Sequence, residues 1–197
     1  MIAYLKGRLV QKEPAFVIID VNGIGYQVMI SLSTYSEIKD REDITLQTIL
    51  VVREDAHILY GFSTAAEKLM FQQLISVNGI GPSTAMMVLS SMDPADLRNA
   101  IIREEVHTLQ SVKGIGAKTA QRLILELKDK VRKDNADPSG AINSAAGHNT
   151  IRSEALSALM TLGVSRPAAE KSIDAILKKS GNSLSLEDLV KIALKSA

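Results

Sequence analysis

Over the first 62 residues the apolar side chains fall in short runs dominated by β-branched residues, and none keeps helical spacing. The runs predict five strands: Ile2 to Val10, Ala15 to Val21, Ile24 to Ser31, Ile44 to Arg53 and Ala56 to Phe62. Asn22-Gly23 lies between the second and third, and this pair favours a two-residue β-turn. Five short strands in about 60 residues suit a small closed barrel of the OB type. Leu32 to Lys39 leaves room for a turn of helix between strands three and four.

After Phe62 the apolar positions recur at every third or fourth residue. Thr64-Ala-Ala-Glu67 is a capping box opening a helix with Leu69, Met70, Leu74 and Ile75 on its inner side. Pro82 and Pro94 each stand where a helix begins, because a missing N–H costs nothing at the first helical position. Those helices run to about Ser91 and Arg103, and Glu105 to Ser111 and Ala117 to Arg132 complete an all-α stretch. Asp134 to Asn149 is small, polar and aperiodic, which predicts a flexible linker. Beyond it lie helices at Ile151 to Leu162, Arg166 to Lys179 and Leu186 to Ala197, the last opened by Ser185-Leu-Glu-Asp188. The expected organisation is multi-domain α+β: an OB-like β-barrel (1–62), a central helical domain (63–133), a linker (134–149) and a three-helix, UBA-like bundle (150–197).

Composition narrows the chemistry. The 197 residues are 46% hydrophobic but include only three Phe, four Tyr and no Trp, so the cores are aliphatic and base stacking on aromatics is not the main mode of recognition. Absence of cysteine excludes disulfides and thiolate metal sites, and His57, His107 and His148 have no ligand spacing, so neither metal nor cofactor is expected. Nothing resembles a signal peptide or a membrane span of about 18 apolar residues, which points to the cytoplasm. The net charge of +1 conceals an uneven distribution. Residues 1–62 carry 6 bases and 8 acids, whereas 63–134 carry 10 and 8. Between Ser111 and Lys133, seven bases (Lys113, Lys118, Arg122, Lys128, Lys130, Arg132, Lys133) face only Glu126 and Asp129.

The main candidate site is an internal repeat. Val77-Asn78-Gly79-Ile80-Gly81-Pro82-Ser83-Thr84-Ala85 returns 35 residues later as Val112-Lys113-Gly114-Ile115-Gly116-Ala117-Lys118-Thr119-Ala120, with six of nine positions identical. Each copy lies between two helices. Glycines there admit unusual backbone angles and close approach, and the following helix presents unpaired N–H groups and its positive end, an arrangement that binds phosphate. A single Gly-Ile-Gly is more often an ordinary interhelical turn; duplication in one frame beside clustered cations favours phosphate. Lys118-Thr119 also looks like the end of a Walker A loop, but that pattern needs glycine at Val112 and Ala117 and a preceding strand. Candidate phosphate-binding residues are Asn78, Gly79, Ile80, Gly81, Ser83, Lys113, Gly114, Ile115, Gly116, Lys118, Thr119 and Arg122. The second copy has the basic helix behind it, whereas the first relies on main-chain donors. Val21-Asn22-Gly23-Ile24-Gly25 spells the same five letters, but its flanks have period two, so it is a β-turn that binds nothing.

Arg53-Glu54-Asp55-Ala56-His57 joins strands four and five. An ordinary solvated turn accounts for it; in a phosphate-binding protein two protruding carboxylates would also repel DNA backbone. Paired carboxylates are alternatively a metal site for strand cleavage. No catalytic residue is assigned. In the C-terminal bundle Leu159, Leu162, Val164 and Pro167, at and around the turn after the first helix, form the candidate partner edge.

Taken together, Val52-Arg53-Glu54-Asp55-Ala56-His57-Ile58-Leu59-Tyr60-Gly61-Phe62, the two hairpins and Ala158-Leu159-Met160-Thr161-Leu162-Gly163 resemble the RuvA family, bacterial proteins that bind Holliday junctions and recruit the RuvB motor for branch migration. The likeness covers the whole chain. It implies an OB-like domain, a tandem helix-hairpin-helix domain and a mobile motor-binding domain. It further implies a homotetramer, or two face to face, that holds four DNA arms open, with Glu54 and Asp55 of each subunit as an acidic pin at the centre. The implied partners are Holliday junction DNA, a RuvB-type AAA+ ATPase and a RuvC-type resolvase. At Ser83 the family commonly has lysine, so a weaker first hairpin is expected. A repair nuclease or lyase, and a general duplex-binding scaffold, are the other classes these residues admit.

Overall fold

The computed structural model describes residues 1–134, 147–180 and 184–196. The chain divides into two compact units, Met1–Asp137 and Pro138–Ala197. Most of the predicted linker lies outside the described residues. At its margins Asp134 closes one helix and Gly147 opens another, so both flanking helices extend further than their apolar periodicity.

The first unit begins with strands β1 (Tyr4–Glu13), β2 (Phe16–Val21), β3 (Ile24–Met29), β4 (Asp43–Val52) and β5 (His57–Phe62), closed into a barrel in the order β1-β2-β3-β5-β4. Closure depends on a parallel pairing of β3 with β5, Val28 opposite Leu59; the other four pairings are antiparallel. Alternation turns Leu5, Leu9, Val17, Ile19, Ile44 and Leu46 into the barrel interior. The Asn22-Gly23 turn has φ of 53° and 88°, the positive values a primed two-residue hairpin requires, and the Gly23 N–H donates to Asp20 Oδ1 at 3.0 Å. Helix α1 (Leu32–Ile38) fills the gap between β3 and β4. Ser31, expected to end a strand, caps it by accepting from the Thr34 N–H.

Helices α2 (Ala65–Ile75), α3 (Pro82–Ser91), α4 (Pro94–Ile102), α5 (Val106–Gln110) and α6 (Ala117–Asp134) follow. They share a core with the barrel: Ile49, Tyr60 and Phe62 from β4 and β5 belong to the same cluster as Phe71, Leu74, Leu97, Leu109, Leu123 and Leu127. Phe71 lies between the Tyr60 and Phe62 rings, at centroid distances of 5.1 and 5.0 Å. A buried polar junction adds direction to this apolar contact. Thr64 caps α2 as expected, but the Glu67 carboxylate points to the barrel side, where it accepts from Ser31 Oγ and, at 2.6 Å, from Thr34 Oγ1. A buried carboxylate satisfied by two hydroxyls favours one seating of α2 against α1.

In the second unit α7 (Gly147–Thr161), α8 (Arg166–Ser180) and α9 (Leu186–Ser196) enclose Ala155, Leu159, Ala169, Ile173, Ile176, Leu189 and Ala193. Ser185 caps α9, accepting from the Asp188 N–H at 3.2 Å.

Candidate nucleic-acid interface

The two copies of the repeat share their turn geometry and its hydrogen bonds. Gly79 and Gly114 have φ of 93° and 95°, the left-handed region where a side chain is strained. The Ile80 N–H donates to Val77 O and the Ile115 N–H to Val112 O, both at 3.1 Å, and α3 and α6 then start with Ala85 to Gly81 and Ala120 to Gly116 hydrogen bonds. Ile80 and Ile115 are buried plugs that fix each loop to the core. Both had been expected among the phosphate contacts. Their side chains face inward and their N–H groups are already paired, so neither offers a donor.

What remains outward is Asn78, Gly79, Gly81 and Ser83 in the first hairpin and Lys113, Gly114, Gly116 and Lys118 in the second, all exposed, with Thr119 half-buried. The first turns of α3 and α6 leave N–H groups without intrahelical partners. Pro82 removes one of these from the first hairpin, and Ala117 retains it in the second. Gly81 and Gly116 differ from the other two glycines. Gly81 has φ of −86°, open to any residue, Gly116 is not at positive φ, and a Cβ on either would meet nothing within 4 Å.

Charge is distributed differently from its order in the sequence. Arg122 belongs to the helix after the second hairpin, yet its Nη1 donates to the carbonyl of Asn78 in the first, at 3.2 Å. Lys130, two turns further along α6, donates to Ser76 Oγ at 3.2 Å. The first hairpin therefore has cations beside it and does not depend on main-chain donors alone, because α6 runs past it. In the sequence Lys130 is one of seven clustered bases and nothing marks its target; a contact 54 residues away leaves no local signal. Lys128 is engaged elsewhere, bridging to Glu104, whose carboxyl it holds below the usual range through their hydrogen bond.

Arg53-Glu54-Asp55-Ala56 forms a tight turn closed by the Arg53 N–H to Ala56 O bond of 2.8 Å, with both carboxylates exposed. It joins β4 to β5, whose Ile49 and Tyr60 share a core with Val77 and Ile80 of the first hairpin. Burial raises the pKa of the Tyr60 phenol, opposed by the charge of Arg53 and by the Ser83 side chain. Among the described residues no three His, Cys, Asp or Glu side chains gather as a metal site, and no helix is long and apolar enough to cross a membrane.

In the C-terminal unit Leu162 is 60% exposed and Pro167 is exposed, while Val164 packs half-buried against the bundle core. Leu159, expected at a partner edge, is fully buried and holds the bundle itself together. Met160 and Leu194 are exposed apolar residues of the same unit.

Comparison with known proteins accords with this layout. The family models described as RuvA N terminal domain, SAM-like Helix-hairpin-helix tandem and RuvA C-terminal domain match residues 1–61, 71–129 and 150–197. Relatives named Holliday junction branch migration complex subunit RuvA include that of Cytophaga hutchinsonii, 56% identical over 197 residues and 99% of each chain. Those of Christiangramia forsetii and Bacteroides fragilis are 50% and 44% identical, again over 99% of each chain. With a five-stranded barrel, duplicated hairpins and a helical C-terminal unit aligned end to end with these relatives, the chain belongs to the RuvA family.

Proposed function

We propose that this chain is the junction-binding subunit of a branch-migration complex: it grips the arms of a Holliday junction through the phosphates and recruits a RuvB-type AAA+ motor that supplies ATP hydrolysis. The names and full-length identity of its relatives support the assignment. The observation that carries the mechanism is the pair Gly81 and Gly116. Neither glycine is required by its own backbone angle or by a neighbouring atom, so the absence of a side chain serves something that approaches from outside. A phosphate at the start of a helix fits that space.

The hairpins position duplex arms without reading bases, and the exposed Glu54 and Asp55 turn repels backbone at the crossover. Assembly as a homotetramer would bring four such turns to one centre, and the cytoplasm is the expected compartment. The C-terminal unit, through Leu162 and Pro167 with Met160 nearby, is the surface offered to the motor; a RuvC-type resolvase would act on the same open junction.

Competition tests the central claim. Labelled four-way DNA should stay bound under excess linear duplex at raised salt, whereas a general scaffold would lose both alike. Lys118→Ala should reduce affinity for all sequences equally and lower the slope of log K against log salt by about 0.9, the value for one phosphate contact. An unchanged slope removes Lys118 from the interface.

A further inference from the structure

The repeat continues past the hairpins, and its two copies serve each other. A 35-residue offset pairs Gly79 with Gly114, Thr84 with Thr119 and Met87 with Arg122. Arg122 on α6 reaches the first hairpin at Asn78 O. Met87 on α3 reaches the second: its Cε lies 3.2 Å from where a Cβ on Gly114 would stand, with Thr84 Cγ2 at 3.8 Å. Equivalent positions of the two copies thus make reciprocal contacts, as an internal two-fold requires. Both side chains are exposed, Met87 at 38% despite being apolar. The same repeat position holds a guanidinium at one hairpin and a thioether at the other.

We propose that Met87 is a DNA-contacting residue of the second hairpin, the apolar counterpart of Arg122 at the first. The inference rests on the phosphate-gripping function above. A guanidinium has five N–H donors, so Arg122 can keep the Asn78 carbonyl and still take a phosphate oxygen. Met87 has no charge to offer; its flexible, polarisable chain suits the carbon face of a deoxyribose beside the phosphate that Gly114, Gly116 and Lys118 hold. Each hairpin is thereby completed by the helix that follows the other. The first has its cation delivered across the axis, and the second carries its own in Lys113 and Lys118 and takes an apolar contact in exchange.

The experiment uses the full-length chain, a labelled four-way junction and salt titration. Arg122→Met should flatten the slope of log K against log salt by about 0.9, and Met87→Arg should steepen it by about 0.9, so that binding changes about 3.5-fold more between 50 and 200 mM salt. Exchanging both residues should restore the wild-type slope. Met87→Arg with a wild-type melting temperature and an unchanged slope overturns the proposal. Met87→Gln, similar in size and uncharged, covers the case in which arginine disturbs the hairpin: it should weaken binding with no change in slope, and wild-type affinity overturns the proposal equally. If the unmodified chain shows no salt-dependent junction binding, the phosphate-gripping function itself fails, a result separate from any of these.

Discussion

Gly116→Asp is expected to raise the melting temperature slightly while lowering junction affinity by about tenfold or more, two effects of opposite sign from one side chain. Gly116 precedes α6 and has open space around its missing Cβ. Aspartate is among the best residues at the start of a helix: its carboxylate accepts from the second or third N–H and interacts with the positive end of the dipole, together about 0.3–1 kcal/mol better than glycine. That is about 1 to 4 °C for a unit of this size. The carboxylate then occupies the position proposed for the phosphate. Two like charges about 4 Å apart repel by about 1 kcal/mol in water and about 4 kcal/mol at an effective dielectric of 20, and the N–H donors are already taken. Gly81→Asp should act in the same direction, and the two together should exceed about a hundredfold. Gly116→Asn, the same size and an equally good cap, should lose much less, which separates charge from bulk. A melting curve and a junction titration on the same preparation check both effects. If affinity stays at the wild-type value while the helix is stabilised, no phosphate meets this hairpin.

That the hairpins were legible in the sequence, and their electrostatics only partly so, has a physical cause. Gly-Ile-Gly between helical runs is local: the left-handed glycine, the plug and the helix start lie within five residues, and duplication marks them. The five strands and the Asn22-Gly23 turn are legible for the same reason, since alternation and turn chemistry act over short stretches. Partnerships across space were hidden. Arg122 pairs with Asn78 from 44 residues away, and Glu67, whose place in a capping box suggested a bond to its own helix, satisfies hydroxyls on the far side of the α1 boundary. Ile80 and Ile115 go to the core and not to the loop surface, because an apolar side chain inside a glycine loop gains from burial. Leu159 reads from the sequence both as a core leucine and as part of the partner edge, and the core takes it. The C-terminal core is built partly from Ala155, Ala169 and Ala193, so its helices pack closely and the few large residues among them go inside, which counting leucines does not reveal.

Phe71→Ala should destabilise barrel and hairpins together, by about 3–5 kcal/mol, because the fully buried ring fills the seam where α2 meets β5. For a unit of this size that is a fall of about 10 to 20 °C in melting temperature. The distribution of chromophores makes the experiment decisive. All four tyrosines lie in the first 62 residues and the chain has no tryptophan, so tyrosine emission reports the barrel; circular dichroism at 222 nm reports chiefly the helices. If barrel and hairpin helices are one cooperative body, the tyrosine transition and the corresponding step in helicity move down together. The C-terminal unit, which has its own core, retains its share of the helical signal. A tyrosine transition that shifts while the helical step stays in place would mean that the seam is not a shared core. The consequence reaches function. The acidic turn joins β4 to β5, and Ile49 and Tyr60 of those strands share a core with Phe71 and with Val77 and Ile80 of the first hairpin. Under the proposed function the carboxylates that would repel backbone and the N–H groups that would grip it need a fixed separation, since backbone is held on one side and pushed away on the other. Loosening the seam should therefore erode preference for four-way over linear DNA before it abolishes binding, because each hairpin can still meet a phosphate after its distance from the pin has ceased to be set.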